Sequence, residues 1–303
     1  MAVQNIDFSC KHDVFILNRD GSLSRMDEPF FENRSIAPDT WQIFSSGDHS
    51  YLVAGETAAI AIDTGYGAGN IREYMQSLTD RPLESVINTH DHFDHTANNG
   101  YFERAYMAQE TVPLATVPFP SFAGIDFPQD YQRIAVEEGH VFDLGGRTLE
   151  VFHIPDHAAG SIALLDRRGR ILFSGDEINE GGKSLNGGVR SFAANMKKLM
   201  DHRSEFDLLA GGPDVVDASV LDALYACALH ILEGNEGEPL GDEKFSLPLP
   251  KSPDEMGRTV YHRQLPHPED MHHDGEDPEK ARFMRKMCFA GTSITYDLRL
   301  KEQ

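Results

Sequence analysis

The stretch from Thr89 to His95, THDHFDH, constrains this chain more than any other. It places three histidines and two aspartates directly after the apolar run ESVIN. Polar groups gathered at the end of an apolar strand cost free energy unless each one has a partner. A metal ion is the partner that suits imidazole and carboxylate together. We therefore interpret the stretch as part of a metal cage and not as a surface polar patch.

The spacing within this stretch separates two pairs of candidate ligands. His90 and His92 are two positions apart at a predicted strand end, which directs both rings the same way, so that two imidazoles can reach one ion. Asp94 and His95 follow after one more residue, at the predicted start of a helix, where they could serve an adjacent second ion. Asp91 is interpreted as a spacer.

Two further strand ends supply candidate ligands. EVFHIPDHAAGS carries His153 and His157 in the loop after one apolar strand, and GRILFSGDEI carries Asp176 directly after another. Gly175 allows a close backbone approach at that point. Among small neighbours His157 fits a ligand, whereas His153 fits a structural role. Because open sheets gather ligands at the carboxyl ends of their strands, we expect these side chains to converge with the first group.

Strand-like and helix-like patterns both occur along the 303 residues, which predicts an α/β chain. No domain-sized linker separates them, so we expect a single domain, 1–303. A strand–helix–strand unit leads into THDHFDH, and several short strands follow between 132 and 174. Helical spacing returns at 189–203 and 217–233, and the last strands form a hairpin within 285–298.

Two segments depart from this pattern. Residues 112–131 are rich in proline and phenylalanine, which favours either a lid or pocket wall, or a loop packed on the core. Residues 234–282 are rich in proline, acidic residues and histidine, which indicates a long excursion from the domain.

Charge and composition exclude several classes of partner. The formal net charge of −22 argues against nucleic acid and anionic membranes, which need clustered lysine and arginine. No run of 18 apolar residues and no basic leader followed by an apolar segment occurs, so we expect a cytoplasmic protein with a small-molecule substrate. Three cysteines without close spacing indicate neither a disulfide framework nor a zinc knuckle. A homo-oligomer is left open.

Four motifs in order, AIDTG, THDHFDH, HIPDHAAGS and LFSGD, each lie next to an expected strand. Over about 43–215 the chain thereby resembles the metallo-β-lactamase superfamily. The resemblance implies a four-layer αβ/βα sandwich, with two sheets face to face, helices outside and metals at one edge of the sheets.

The resemblance also implies how the ligands are shared between two metal positions. The six ligands are His90, His92, Asp94, His95, His157 and Asp176. The three histidines His90, His92 and His157 hold the first ion, the Asp94–His95 pair belongs to the second, and Asp176 bridges the two. Asp63 of AIDTG is expected to accept a hydrogen bond from a ligand imidazole and so fix its tautomer.

One departure from the family pattern concerns the last ligand of the second ion. The family has a histidine there, in a loop after a late strand, whereas this chain reads LLAGGPDVVD, with Gly212 in its place. Four explanations stay open: the site holds one ion, Asp214 substitutes, a histidine of the excursion folds back, or the metal chemistry has been lost. The candidate histidines of the excursion are His262, His267, His272 and His273.

The activity implied by the resemblance is hydrolysis. A zinc-bound hydroxide attacks an electrophilic carbonyl, and Asp94 orients that nucleophile and takes part in proton transfer. The expected cofactor is one or two Zn²⁺ ions, with iron or manganese as the alternatives. The expected substrate is a small ester, thioester, lactone or lactam, which the fold alone does not choose between.

Two other functions remain as alternatives. An iron-dependent oxygenase of the same fold would suit an incomplete second site, and a catalytically weak binding or sensor protein would suit the loss of a ligand at Gly212. After Asp176, Lys183, Asn186 and Arg190 are either candidates to bind a substrate carboxylate or oxyanion, or parts of a flexible glycine-rich connection.

Overall fold

The computed structural model describes residues 5–18, 21–240, 259–262 and 282–303. The strands in chain order are β1 Val14–Leu17, β2 Leu23–Arg25, β3 Glu32–Ala37, β4 Thr40–Phe44, β5 Ser50–Ala54, β6 Ala59–Ile62, β7 Leu83–Ile87, β8 Arg104–Ala108, β9 Gln132–Val136, β10 Val141–Asp143, β11 Thr148–His153, β12 Ile162–Asp166, β13 Ile171–Gly175, β14 Lys183–Ser184, β15 Leu208–Gly211, β16 Val215–Asp217, β17 Glu238–Pro239, β18 Thr259–His262, β19 Met284–Phe289 and β20 Thr292–Asp297. The α-helices are α1 Ile71–Gln76, α2 Phe93–Thr96, α3 Val189–Met200 and α4 Ser219–Leu232. Short 3-10 helices cover Ser9–Lys11, Ala97–Tyr101, Pro120–Phe122, Arg203–Glu205 and Leu298–Leu300.

These elements form two compact units, which we describe one at a time. Among the described residues, the first unit contains those up to 136, together with 143–147 and 259–262. The second unit contains 137–142, 148–240 and 282–303. The sequence prediction of a single domain over 1–303 stays a prediction.

The first unit is built on a seven-stranded sheet whose strands lie in chain order, from β3 to β9. Neighbouring strands are antiparallel as far as β6 and parallel from β6 to β9. The parallel part requires crossovers, and the first is α1, whose Asn70 side chain accepts the Glu73 N–H at 3.1 Å as an N-cap. A smaller sheet pairs β18 with β1 and β1 with β2.

The strand before the histidine motif is shorter than the sequence predicts. The apolar run was expected to continue as a strand to His90, but β7 ends at Ile87. The chain turns there because the Asn88 side chain donates to the His95 carbonyl at 2.9 Å and to Asn99 Oδ1 at 3.1 Å. The motif is therefore a partly buried connection after β7 together with the first turn of α2, not the last part of the strand.

A turn at 143–147 belongs to the first unit because of one buried arginine. The Arg147 guanidinium donates to the carbonyls of Asp39 and Ala54, both at 3.0 Å, and to Thr40 Oγ1 at 2.6 Å. Two backbone hydrogen bonds add to this anchor, from Glu56 to Gly145 and from Thr57 to Leu144. A charged side chain is tolerated in this buried position because its donors are used.

The second unit contains a six-stranded sheet in the order β10–β11–β12–β13–β15–β16 and a four-stranded sheet in the order β14–β20–β19–β17. Within the larger sheet β13 and β15 pair in parallel, and α3 lies between them in the chain. The buried residues of α3 recur at helical spacing and pack in one cluster with apolar residues of this sheet and of α4; they are Val189, Phe192, Met196 and Leu199.

The predicted excursion at 234–282 lies mostly outside the described residues. Its two described parts are short strands: β17 pairs with β19, and β18 pairs in parallel with β1. His267, His272 and His273, and the side chain of His262, are outside what the structure describes. Within the described residues, no helix is both long and apolar enough to cross a membrane.

We predict that Arg147→Met lowers the free energy of unfolding by roughly 3 kcal/mol, because three buried acceptors lose a charged donor together. The midpoint of urea unfolding measures this loss. Arg104→Met is the matched control in the same unit, because Arg104 pairs with Glu84 on the exposed surface, where the loss should stay below about 1 kcal/mol. Equal losses in the two variants would contradict the anchoring role of Arg147.

Candidate metal centre

The carboxylate of Asp63, at the end of β6, organises the histidine motif of the first unit. One oxygen accepts the Thr89 backbone N–H at 2.8 Å, and the other accepts the Thr89 hydroxyl at 2.7 Å and faces His95 Nδ1 at 2.9 Å. Asp63 is buried and adopts a left-handed backbone conformation, with φ of 57°. A buried aspartate in a strained backbone conformation, whose carboxylate binds Thr89 and His95, indicates a functional constraint.

These hydrogen bonds determine which ring nitrogen of His95 could bind a metal ion. A carboxylate can only accept a hydrogen bond, so His95 Nδ1 carries the proton that Asp63 receives. Nε2, on the opposite side of the ring, is then the nitrogen that a metal ion would bind. The sequence analysis assigned Asp63 this role towards a ligand imidazole, and the geometry identifies that imidazole as His95.

Asp63 also acts on His90, through the hydroxyl of Thr89. The Thr89 hydroxyl gives its only proton to Asp63, so it can only accept from His90 Nδ1, 3.1 Å away. His90 Nε2 is therefore the nitrogen left for a metal ion. One carboxylate thus sets the tautomers of two histidines, one of them through a hydroxyl.

The three imidazoles of the motif lie side by side. The His90 ring centroid is 4.6 Å from that of His92 and 4.1 Å from that of His95. His90 and His95 are fully buried, while His92 is half-buried. The predicted i, i+2 pair is therefore close in space, although the two residues lie beyond the end of β7 and not within a strand.

The helix that carries Asp94 and His95 is only one turn long, so its position depends on contacts outside it. The His95 carbonyl accepts from the Thr64 backbone N–H at 3.0 Å and from the side chains of Thr64 at 3.1 Å and Asn88 at 2.9 Å. The helix begins at Phe93, one residue before the predicted start at Asp94.

The aromatic segment 112–131 packs beneath this helix, as one of its two interpretations predicted. Phe93 is surrounded by Phe119, Phe122 and Phe127, whose ring centroids lie 5.3, 5.0 and 4.8 Å away. The sequence analysis gave Phe93 no role, and the structure shows it as a fully buried anchor of the helix. The segment is a loop packed on the core.

Two hydrogen bonds join the same segment to the end of α2. The Thr116 N–H donates to Thr96 Oγ1 at 2.8 Å, and the Thr116 hydroxyl donates to the Thr96 carbonyl at 2.7 Å. Thr116 has a φ of 62°, a costly conformation for a β-branched residue, and this reciprocal pair accompanies it. We call Phe119, Phe122, Phe127 and Thr116 the aromatic clasp.

The sequence analysis missed one residue of this site, Asp48. Asp48 Oδ2 lies 3.2 Å from His95 Nε2, the nitrogen opposite the one that faces Asp63. Ligand atoms of Asp48, Asp94 and His95 all lie within 4.8 Å of one another. The stretch SSGDHS resembles an ordinary polar turn between two strands, so its pattern does not mark Asp48 as a candidate ligand.

The second unit brings together its own two predicted ligands. His157 lies in the loop after β11 and Asp176 follows β13 directly, and His157 Nε2 is 3.6 Å from Asp176 Oδ2. Gly175, before Asp176, has a φ of 50°, which suits glycine at this turn. Their placement at two strand ends is as predicted, and their role as ligands stays a prediction.

A buried charge network supports this pair. Glu177 Oε1 accepts the backbone N–H groups of Asp156 at 2.9 Å and His157 at 2.6 Å, which fixes the loop that carries His157. Lys183 Nζ lies 2.9 Å from Glu177 Oε2 and 3.6 Å from Asp156 Oδ2. Burial raises the pKa of Glu177, and the Lys183 ammonium opposes that shift.

The three residues considered for substrate binding have other contacts. Lys183 is buried against Glu177, and its Nζ also donates to the Asp176 carbonyl at 3.2 Å. The Asn186 side chain donates to the His157 carbonyl at 3.0 Å, and Arg190 forms an exposed ion pair with Glu302. Lys183 and Asn186 thus help to hold the loops that carry Asp176 and His157, whereas Arg190 pairs with the last residues of the chain.

The loop at Gly212 is tightly packed. Gly212 is buried, and its N–H donates to the Gly175 carbonyl at 3.1 Å. Asp214 is exposed, and its Oδ1 accepts the Val215 N–H at 2.7 Å. Among the described residues, no group of potential ligands close enough to hold an ion includes Asp214.

The donor set of the first unit fits a divalent metal ion of the zinc type. It offers imidazole nitrogens whose other nitrogen is held by a hydrogen bond, together with two carboxylates, and these are nitrogen and oxygen ligands that zinc accepts. The identity of the ion stays a prediction.

Comparison with known proteins agrees with the geometry. The family model described as "Metallo-beta-lactamase superfamily" matches residues 47–226. The structure of a metallo-beta-lactamase from Pontibacter korlensis superposes with a TM-score of 0.52 at 19% identity, covering 68% of this chain and all of that one. The predicted α/β, metallo-β-lactamase-like fold class is thereby confirmed.

Two curated relatives carry the word thioesterase in their names. "Acyl-coenzyme A thioesterase MBLAC2" of Bos taurus is 32% identical over 174 residues, which is 46% of this chain and 62% of the relative. "Atrochrysone carboxyl ACP thioesterase" of Claviceps purpurea is 25% identical over 174 residues, which is 56% of this chain and 53% of the relative. The chain thus spans less than two thirds of the length of the curated relatives it matches.

We predict that Asp63→Asn lowers zinc affinity roughly 10- to 100-fold, because an amide that turns its NH₂ towards His95 favours the wrong tautomer. Competition with a chromophoric chelator measures the affinity. Asp91→Asn is the matched control in the same motif and should bind zinc as the unmodified protein does. An unchanged affinity in Asp63→Asn would show that Asp63 does not set the tautomers.

We predict that Lys183→Met lowers the free energy of unfolding by roughly 3–5 kcal/mol, because two buried carboxylates lose their cation. Adding Glu177→Gln should recover part of the loss, since the amide oxygen can still accept backbone N–H groups. Urea unfolding measures both variants. Arg190→Met removes only an exposed pair and should leave the unfolding midpoint unchanged; a similar shift in Arg190→Met and Lys183→Met would refute the network.

Proposed function

This chain belongs to the metallo-beta-lactamase superfamily, and we propose on that premise that it is a zinc-dependent hydrolase of acyl thioesters. The observation that carries the proposal is the hydrogen-bond chain from Asp63 to His95 and, through Thr89, to His90. It directs the Nε2 atoms of both rings away from these hydrogen bonds, which is the orientation that binding of an ion through Nε2 requires. Such preparation is typical of a functional metal centre and has no use in a merely structural cluster.

We propose His90, His92, Asp94, His95, His157 and Asp176 as the metal ligands. A zinc ion held by these residues would supply Lewis acidity and would make water easier to deprotonate. The chain itself supplies orientation: the aromatic clasp and the bonds to the His95 carbonyl fix α2, which carries Asp94. Asp94 then orients the attacking water and accepts its proton.

The choice of a thioester is supported by the two relatives whose names include thioesterase, one for an acyl-coenzyme A and one for an acyl carrier protein. The common chemistry of these names is the acyl–sulfur bond, whichever carrier bears it. In the proposed reaction the water oxygen bonds to the acyl carbon, the carbon–sulfur bond breaks, and the thiolate leaves and takes up a proton. The products are a carboxylic acid and a thiol.

We predict that the zinc-loaded protein cleaves acyl thioesters and that Asp94→Asn reduces kcat/KM by roughly 10²- to 10⁴-fold, as expected when a general base is lost. The panel pairs each acyl group on coenzyme A with the same group on N-acetylcysteamine, which separates preference for the carrier from preference for the acyl group. Thioester absorbance is the readout of choice, because exposed Cys10 and Cys288 would react with a thiol-detecting reagent.

Paired histidine variants provide the control. His157→Ala should abolish hydrolysis, whereas His153→Ala, four positions earlier, should leave it unchanged. Metal analysis of protein purified without added metal should find zinc; iron instead would favour the oxygenase alternative. The proposal fails if the zinc-loaded protein cleaves no thioester faster than His90→Ala does.

A further inference from the structure

The loop between β4 and β5 approaches the metal-binding helix closely at Asp48. This loop, residues 45–49, is buried at every position except Asp48, which is half-buried with a side chain 23% exposed. His49 beside it is held against Phe44, with ring centroids 5.1 Å apart. The exposed part of the loop is thus its one carboxylate, and that carboxylate faces His95.

The separation between Asp48 and His95 suits two ligands of one ion. Zinc binds imidazole nitrogen and carboxylate oxygen at about 2.0–2.2 Å, so two such donors at a tetrahedral angle lie about 3.3–3.5 Å apart. Asp48 Oδ2 and His95 Nε2 are 3.2 Å apart. His95 Nδ1 is already engaged by Asp63, so Nε2 is the nitrogen that such an ion would use.

A third donor completes the set. Asp94 has a carboxylate oxygen within 4.8 Å of ligand atoms of both Asp48 and His95. Two carboxylates placed this close to each other repel when both are ionised, and a divalent cation between them removes that repulsion. One imidazole and two carboxylates make a three-ligand set that leaves a position for water.

The approach of the loop depends on Gly47. Its φ is +78°, and a Cβ at this position would lie 2.9 Å from Asp94 Cβ and 2.8 Å from Tyr66 Cε1. Both contacts are shorter than packed side chains allow. The absence of a side chain at 47 therefore lets the backbone before Asp48 lie directly against Asp94.

We propose that Asp48 is a ligand of the second metal ion, in place of the family histidine that is missing at Gly212. This assignment differs from the explanations that the sequence offered, since Asp214 is exposed and engages its own backbone neighbour. The inference depends on the metal dependence in the proposed function, but not on the thioester substrate. Together with His95 and Asp94, Asp48 gives the second position three ligands from the first unit.

Metal binding without substrate tests the inference. Stripped protein is titrated with zinc against a chromophoric chelator, and bound zinc per chain is measured by mass spectrometry after gel filtration. The unmodified chain should bind two ions. Asp48→Ala should bind the first ion with unchanged affinity and the second ion at least about tenfold more weakly. Tenfold is the minimum expected because loss of a residue that only hydrogen-bonds to a ligand already weakens metal binding by about this factor.

Two further variants separate a ligand from a structural residue. Asp91→Ala removes a carboxylate of the same motif and should still bind two ions. Gly47→Ala keeps Asp48 but crowds Asp94, so it should weaken the second ion as well. Circular dichroism and the thermal midpoint check that each variant is folded.

The outcomes distinguish this inference from the proposed function. Two ions bound by Asp48→Ala with unchanged affinity, or a single ion bound by the unmodified chain in excess zinc, would overturn the role of Asp48. Loss of the second ion in Asp48→Ala supports it, even if the unmodified protein proves to cleave no thioester, a result that would refute only the substrate.

Discussion

The carboxylate of Asp63 is the interaction on which the site depends. It receives two hydrogen bonds from Thr89 and one from His95, so a single side chain at the end of β6 determines the geometry of the connection from β7 to α2. Its left-handed backbone would be costly for most residues and less so for aspartate. Without these contacts, the imidazoles of His90 and His95 could rotate, and the tautomer with the proton on Nδ1 would no longer be favoured.

Much of the site could be predicted because its residues follow apolar strands. THDHFDH, His157 and Asp176 each stand directly after a hydrophobic run, and such polar residues are conspicuous there. Asp48 could not be found in this way. It lies in a polar turn 47 positions before His95, and the pairing of the strands from β4 to β7 brings the two together.

The charged residues after Asp176 show a second limit. Glu177 and Lys183 are indistinguishable in sequence from exposed charges in a glycine-rich loop, and burial alone reveals them as a structural pair. Likewise β5, β6 and β9 could be predicted from their apolar runs or alternation, whereas β3 could not. Asn33, Arg34 and Ser35 carry no strand signal, and they form a strand because β4 offers its edge.

The aromatic clasp joins residues 112–131 to α2, so that a change in one moves the other. In many enzymes a loop of this kind is where substrate preference diversifies, because it can change without disturbing the scaffold. Here, exchange of the whole loop would take Phe122 away from Phe93 and Thr116 away from Thr96. Substitutions in this loop that leave its contacts with α2 intact are therefore expected at exposed positions such as Leu114 and Val117.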